Sequence, residues 1–278
     1  MERPNLAWAR LEPEKILVVT DTAAFLLEGK DAQNAGLLRP SEAPLSIEMS
    51  RRLLDSAIGA GQRVPVKASP RFAFSAARWA FRLVGYFHTT HATSRLMKEA
   101  ASRFEAAGKT TLAAWAAGKT RDERGHDDLA LRDLVALGYD ARALVASCLP
   151  ATAQKLVSFF EATVLGDEVP TAVVGYAYAL ERLASTRTAA DVAAIEAMLP
   201  PSINATRCLR VHSGAGSDAD HVEDVVALVA GLSADDRGAV TRAAYETTAI
   251  GRTVHAPPLD DDELERLLAP FRTPNSAM

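Results

Sequence analysis

Glu123 and His126 are three residues apart, and at about 100° per residue they fall on one helical stripe with Leu112, Ala116, Ala130, Leu134 and Leu137. A carboxylate and an imidazole are thereby aimed at a protein interior. Burying a charge there without compensation costs several kcal/mol or more, so such groups need partners or a cation. Glu-x-x-His on an inward helix face is the arrangement with which helical bundles hold carboxylate-bound metals.

The same test selects residues elsewhere. His88 and His91 share a face with Phe74, Phe81, Val84 and Phe87, which predicts that both rings point inward. Asp218 and His221 lie on the stripe of Val222, Val225, Val229 and Leu232. Glu181 ends an uncharged run from Pro170 to Leu180, the pattern of a helix buried on all sides. Taken singly, each has a plain structural reading: a hydrogen-bonded core histidine, a helix-end charge beside Arg182, or an acid favoured at a helix N-terminus. Together they send carboxylates and imidazoles from four helices toward one interior. Mixed oxygen and imidazole donors without thiolate suit iron or manganese. If two ions are bound, Glu123 and Glu181 are the natural bridging or terminal pair.

The elements that must position these groups are helices. Apolar residues recur at helical spacing along most of the chain, and glycines, prolines and capping residues punctuate it. Helices are predicted over about 47–60, 70–107, 110–137, 141–148, 151–165, 170–184, 189–198, 201–212, 217–232, 235–251 and 261–271. Only residues 1–45 differ. There Lys15–Thr20 and Ala24–Leu27 read as two short strands or an extended arm, ahead of Pro40 and Pro44. The expectation is an all-α domain over 46–278 with an N-terminal arm over 1–45.

Composition limits the function. With 278 residues, 48% of them hydrophobic and 24% charged, the chain can build a large core and is not disordered. A formal net charge of −4 provides no basic field for nucleic acid or an anionic membrane. Cys148 and Cys208 are the two cysteines and show no metal-ligand spacing, which fits a reducing cytoplasm. No run reaches the roughly 18 apolar residues of a membrane span. Gly108-Lys109-Thr110 and Gly118-Lys119-Thr120 mimic a phosphate loop, but the glycine required five positions earlier is replaced by Arg103 and Ala113.

Three segments carry a family resemblance. Asp122-Glu123-Arg124-Gly125-His126-Asp127-Asp128 through Gly138, Gly175-Tyr176-Ala177-Tyr178-Ala179-Leu180-Glu181, and Val211-His212-Ser213 continuing to Asp218-Ala219-Asp220-His221 resemble the haem-oxygenase-like iron-containing oxidases and oxygenases in order and spacing. The resemblance spans about residues 70–235. It implies a haem-oxygenase-like helical bundle and a non-haem iron site holding Fe(II), two ions in the full dinuclear form, with manganese as the second choice. The ligands it implies are Glu123, His126, Glu181, His212, Asp218 and His221. Two features depart from the family pattern: His212 and Asp218 are six residues apart, as though two had been inserted between them, and the long second helix has Phe87-His88-Thr89-Thr90-His91 where many relatives place a glutamate. His91 is the candidate replacement.

The implied activity is oxidation or oxygenation of a small amino acid, amine or fatty-acid-like substrate by dioxygen. Trp79, Phe87, Tyr176 and Tyr178 are candidates for lining a pocket, and Arg95 and Lys119 for binding a substrate carboxylate. The alternative is a metal-free helical binding protein that keeps the fold with a degenerate ligand shell. A homodimer fits either reading.

Overall fold

The computed structural model describes residues 6–35, 42–66, 73–213, 218–253 and 259–274; for residues 35 and 218–220 it describes the backbone alone. Three strands open the chain: β1 (Leu6–Glu12), β2 (Lys15–Thr20) and β3 (Ala24–Glu28). They form an antiparallel sheet in sequence order, with Ala9 opposite Leu17 and Leu17 opposite Leu26. Thirteen α-helices follow among the described residues: α1 (Lys30–Ala35), α2 (Ile47–Gln62), α3 (Ala76–Ala106), α4 (Thr110–Asp122), α5 (His126–Ala136), α6 (Ala141–Ser147), α7 (Ala151–Leu165), α8 (Ala172–Ser185), α9 (Ala189–Ala197), α10 (Arg207–Val211), α11 (Asp218–Ala230), α12 (Ala234–Thr253) and α13 (Asp261–Leu268). None of them is long and apolar enough to cross a membrane by itself.

Local chemistry sets many of the boundaries. The Ser46 and Ser75 hydroxyls accept from the third backbone N–H of α2 and α3, so α3 starts at Ala76 instead of about residue 70. Thr188 with Asp191, and Asp260 with Glu263, form reciprocal capping boxes at α9 and α13. β1 is an element the sequence reading missed. Its buried residues are Ala7, Ala9 and Leu11, whose alternation is real but carries little hydrophobic contrast. The N-terminal segment is therefore a three-stranded sheet whose apolar face joins the main core, packed on α2 and α12.

Two apolar clusters meet along α3. The larger contains the sheet face, α2, the C-terminal half of α3, α4, α7, α8, α11 and α12. The smaller joins the N-terminal half of α3 to α5, α6, α9, α10 and α13. α8 is buried over Val173–Ala179, as its uncharged run predicts. It lies so close to α12 that a Cβ on Gly175 would fall 1.9 Å from the Val240 carbonyl oxygen.

Two predicted helices require correction. The continuous helix over 110–137 is broken between α4 and α5, where Gly125 takes φ 83°, a left-handed conformation open to glycine and costly for other residues. The helix expected over 201–212 is reduced to α10, preceded by irregular chain. Both changes fall beside the chemistry-bearing residues.

Candidate metal centre

Glu123 is the C-cap of α4 and His126 the first residue of α5, so the Glu-x-x-His pair straddles the helix break. His126 Nδ1 is 3.0 Å from Glu123 Oε2. His212, the C-cap of α10, presents its ring edge-on to His126 with centroids 4.9 Å apart. One donor atom from each of Glu123, His126 and His212 lies within 4.8 Å of the others. Glu123 is buried and the two imidazoles are half-buried, at the junction between the two apolar clusters. Among the described residues this is the one group of three or more metal-capable side chains.

The electrostatics suit a cation ligand. Burial alone would raise the Glu123 carboxyl, but the His126 hydrogen bond and the positive fields of His212, His126 and Lys119 outweigh it and hold the group below its ordinary value. Glu123 is therefore an ionised carboxylate inside the protein. An anion with two neighbouring imidazoles is also the donor set with which non-haem iron enzymes hold ferrous ion while leaving positions free. The residues present thus fit one iron ion.

α10 reaches this place because Asp133 holds it there. Asp133 is fully buried on α5 and accepts from the Cys208 backbone N–H at 3.0 Å and from the Arg207 guanidinium at 3.1 Å. Sequence reading did not select Asp133. The uncompensated acid on an inward stripe with Ala130, Leu134 and Leu137 was its available signal.

The other expected ligands are placed differently. His91 was expected to face inward, but its side chain is 65% exposed, stacked on Phe87 and 2.7 Å from Asp127. On α3 it points to solvent beside the first turn of α5. His88 contacts the Cys148 carbonyl oxygen at 2.8 Å, the core-histidine role. Glu181 is buried on α8 but ion-paired with Lys119, Nζ to Oε1 2.6 Å. His221 faces Asp122, with Nε2 3.7 Å from Oδ2, and among the described residues its buried Nδ1 has no hydrogen-bond partner. The Asp218 side chain lies outside the described residues, as do residues 214–217, within which the two extra residues are expected.

The aromatic and basic candidates also separate. The Trp79 indole donates to the Ala205 carbonyl, Tyr178 donates to Asp55, and Tyr176 stacks on Phe160 with its hydroxyl buried. Arg95 is an exposed partner of Glu161. Lys119, in contrast, is fully inside: it lies one turn before Glu123 on the Leu112–Ala116 stripe, which was the sequence signal for its burial.

Comparison with known proteins agrees with this architecture. A family model described as an iron-containing redox enzyme matches residues 80–252. The crystal structure of a domain of unknown function with a heme oxygenase-like fold, from Shewanella denitrificans OS217, is similar to this chain with a TM-score of 0.54 and 16% sequence identity. The match covers 80% of this chain and 89% of that one, and at this identity the likeness concerns the fold. No curated protein matches.

Proposed function

This chain belongs to the iron-containing redox enzyme family, and from that premise we propose that it is a non-haem iron oxidase or oxygenase acting with dioxygen on a small amino acid, amine or fatty-acid-like substrate. The observation that carries the reading is the convergence of Glu123 and His126, from the α4–α5 junction, with His212 from the end of α10. One carboxylate with two imidazoles would hold ferrous iron, and few ligands leave room for substrate. Bound iron supplies the one-electron chemistry that dioxygen needs to react with an organic molecule.

The chain's own part is positional. Glu123 is held as a carboxylate, so metal binding does not require its deprotonation; protons that leave on binding come from the imidazoles. Asp133 fixes the start of α10 and with it the His212 ring. The Gly125 turn frees His126 from the α4 axis so that it can approach Glu123 across the break.

The test is anaerobic reconstitution with ferrous iron, removal of excess metal, and measurement of bound iron and of oxygen consumption with a panel of amino acids, amines and fatty acids. Glu123→Ala and His212→Ala should lose bound iron, whereas His91→Ala should retain it. Wild-type protein that retains no iron would favour the metal-free binding protein. Undiminished iron in both ligand variants would remove the assigned site.

A further inference from the structure

Resting on the iron reading above, we infer that the site takes a single metal ion because the Lys119 ammonium occupies the place of a second cation. Lys119 and Glu181 form a buried ion pair between α4 and α8, Nζ to Oε1 2.6 Å, with side chains 4% and 10% exposed. A carboxylate buried this deeply needs a positive partner. Here a side chain provides it, and that side chain arrives from the same helix face as Glu123, one turn earlier.

Two ions in a dinuclear centre stand about 3.5–4 Å apart and share carboxylates. Glu181 is the carboxylate that would have to serve the second ion, and its Oε1 lies against the lysine. An ammonium and a divalent ion at one carboxylate oxygen repel each other strongly in a weakly polarisable interior. With Glu181 so held, the other expected donors rest on partners of their own. His91 is directed to solvent beside Asp127, and His221 Nε2 faces Asp122. Among the described residues, no second group of three donors forms. The lysine thus does structurally what a second metal would do, with a charge that cannot change oxidation state.

The experiment is an anaerobic titration of apoprotein with ferrous iron and, separately, with Co(II), read as metal per chain after removal of excess and as the EPR signal of bound Co(II). Wild type should take up one equivalent and give the spectrum of an isolated ion. Lys119→Met, which keeps most of the length and removes the charge, should release Glu181 and take up a second equivalent. Lys119→Arg, which keeps the charge, should remain at one. Two equivalents in wild type, or a coupled Co(II) pair, overturns the inference while leaving the iron site intact, and needs no variant to fold. Equal counts in wild type and folded Lys119→Met also overturn it. Zero equivalents in wild type removes the iron site and this inference with it.

Discussion

Replacing Asp133 with alanine tests whether a residue that touches no metal donor governs the metal centre. The carboxylate is fully buried and links α5 to the start of α10 through the Cys208 N–H and the Arg207 guanidinium. Losing the charge-assisted bond to Cys208 costs about 1.5–3 kcal/mol. Arg207 is 36% exposed and rehydrates when its partner is removed, so its share is at most about 1 kcal/mol. Alanine should therefore destabilise the protein by roughly 2–4 kcal/mol, lowering the melting temperature by roughly 5–10 °C. His212 ends the same short helix, so iron or Co(II) affinity should fall about 10- to 100-fold, the usual effect of removing an outer-shell support. Asparagine is the discriminating variant. Burial pushes the Asp133 carboxyl above its ordinary value against the pull of Cys208 and Arg207, so a neutral amide recovers part of the desolvation cost and keeps an acceptor for Cys208. Its melting temperature and metal affinity should lie between those of alanine and wild type. The assays are thermal unfolding of apoprotein and competitive metal titration with a chromogenic chelator. An Asp133→Ala protein that melts several degrees lower yet binds metal as tightly as wild type would refute the positioning argument, as would an asparagine variant as impaired as alanine.

Gly175→Ala should destabilise the fold, because reaching ordinary contact near 3.4 Å from the present 1.9 Å requires α8 and α12 to separate locally by about 1.5 Å. Overpacking typically costs about 1–3 kcal/mol and sometimes more, against about 1 kcal/mol of helix propensity gained. Gly238→Ala, on the same α12 with nothing within 4 Å of its new Cβ, should raise the melting temperature; parallel melts that move in one direction for both variants would contradict this packing account. Burial pushes the Asp236 carboxyl up, but hydrogen bonds from Ser233, Thr171 and Lys109 more than offset it, so its folded value lies below 3.8. A depressed carboxylate stabilises the fold above its unfolded value and loses that contribution as pH falls through the folded one. The melting-temperature gap between wild type and Asp236→Asn should accordingly be widest near neutral pH and close below about pH 4; a gap constant from pH 7 to 3 would count against these bonds.

Much of the scaffold was legible in the chain because helices are written locally. Ser46, Thr188 with Asp191, and Asp260 with Glu263 announce helix starts through bonds to neighbours three residues on. The uncharged run before Glu181 announced a buried helix, and α8 is one. β1 escaped because alanine at two of its three inward positions weakens the alternating pattern. The α4–α5 break was missed because an inward stripe continues past Gly125 on both sides, and periodicity does not register one residue at positive φ. For the same reason His91 was projected inward from its apolar neighbours, although a few tens of degrees of rotation on a long helix separate core from solvent.

Residue types and spacing by themselves marked a helical protein with Glu123, His126, Glu181 and His221 as distinctive polar residues, and the family resemblance added His212. Which of them meet was decided by tertiary structure. His212 joins Glu123 and His126 because Asp133 anchors α10 from another helix, and Glu181 is taken by Lys119 because that long side chain reaches from α4 to α8 through the interior. A sequence records side-chain chemistry and local periodicity; the pairing of charges across distant helices depends on their separation in space, where Coulomb energy falls with distance and the low dielectric of the interior makes an ångström matter.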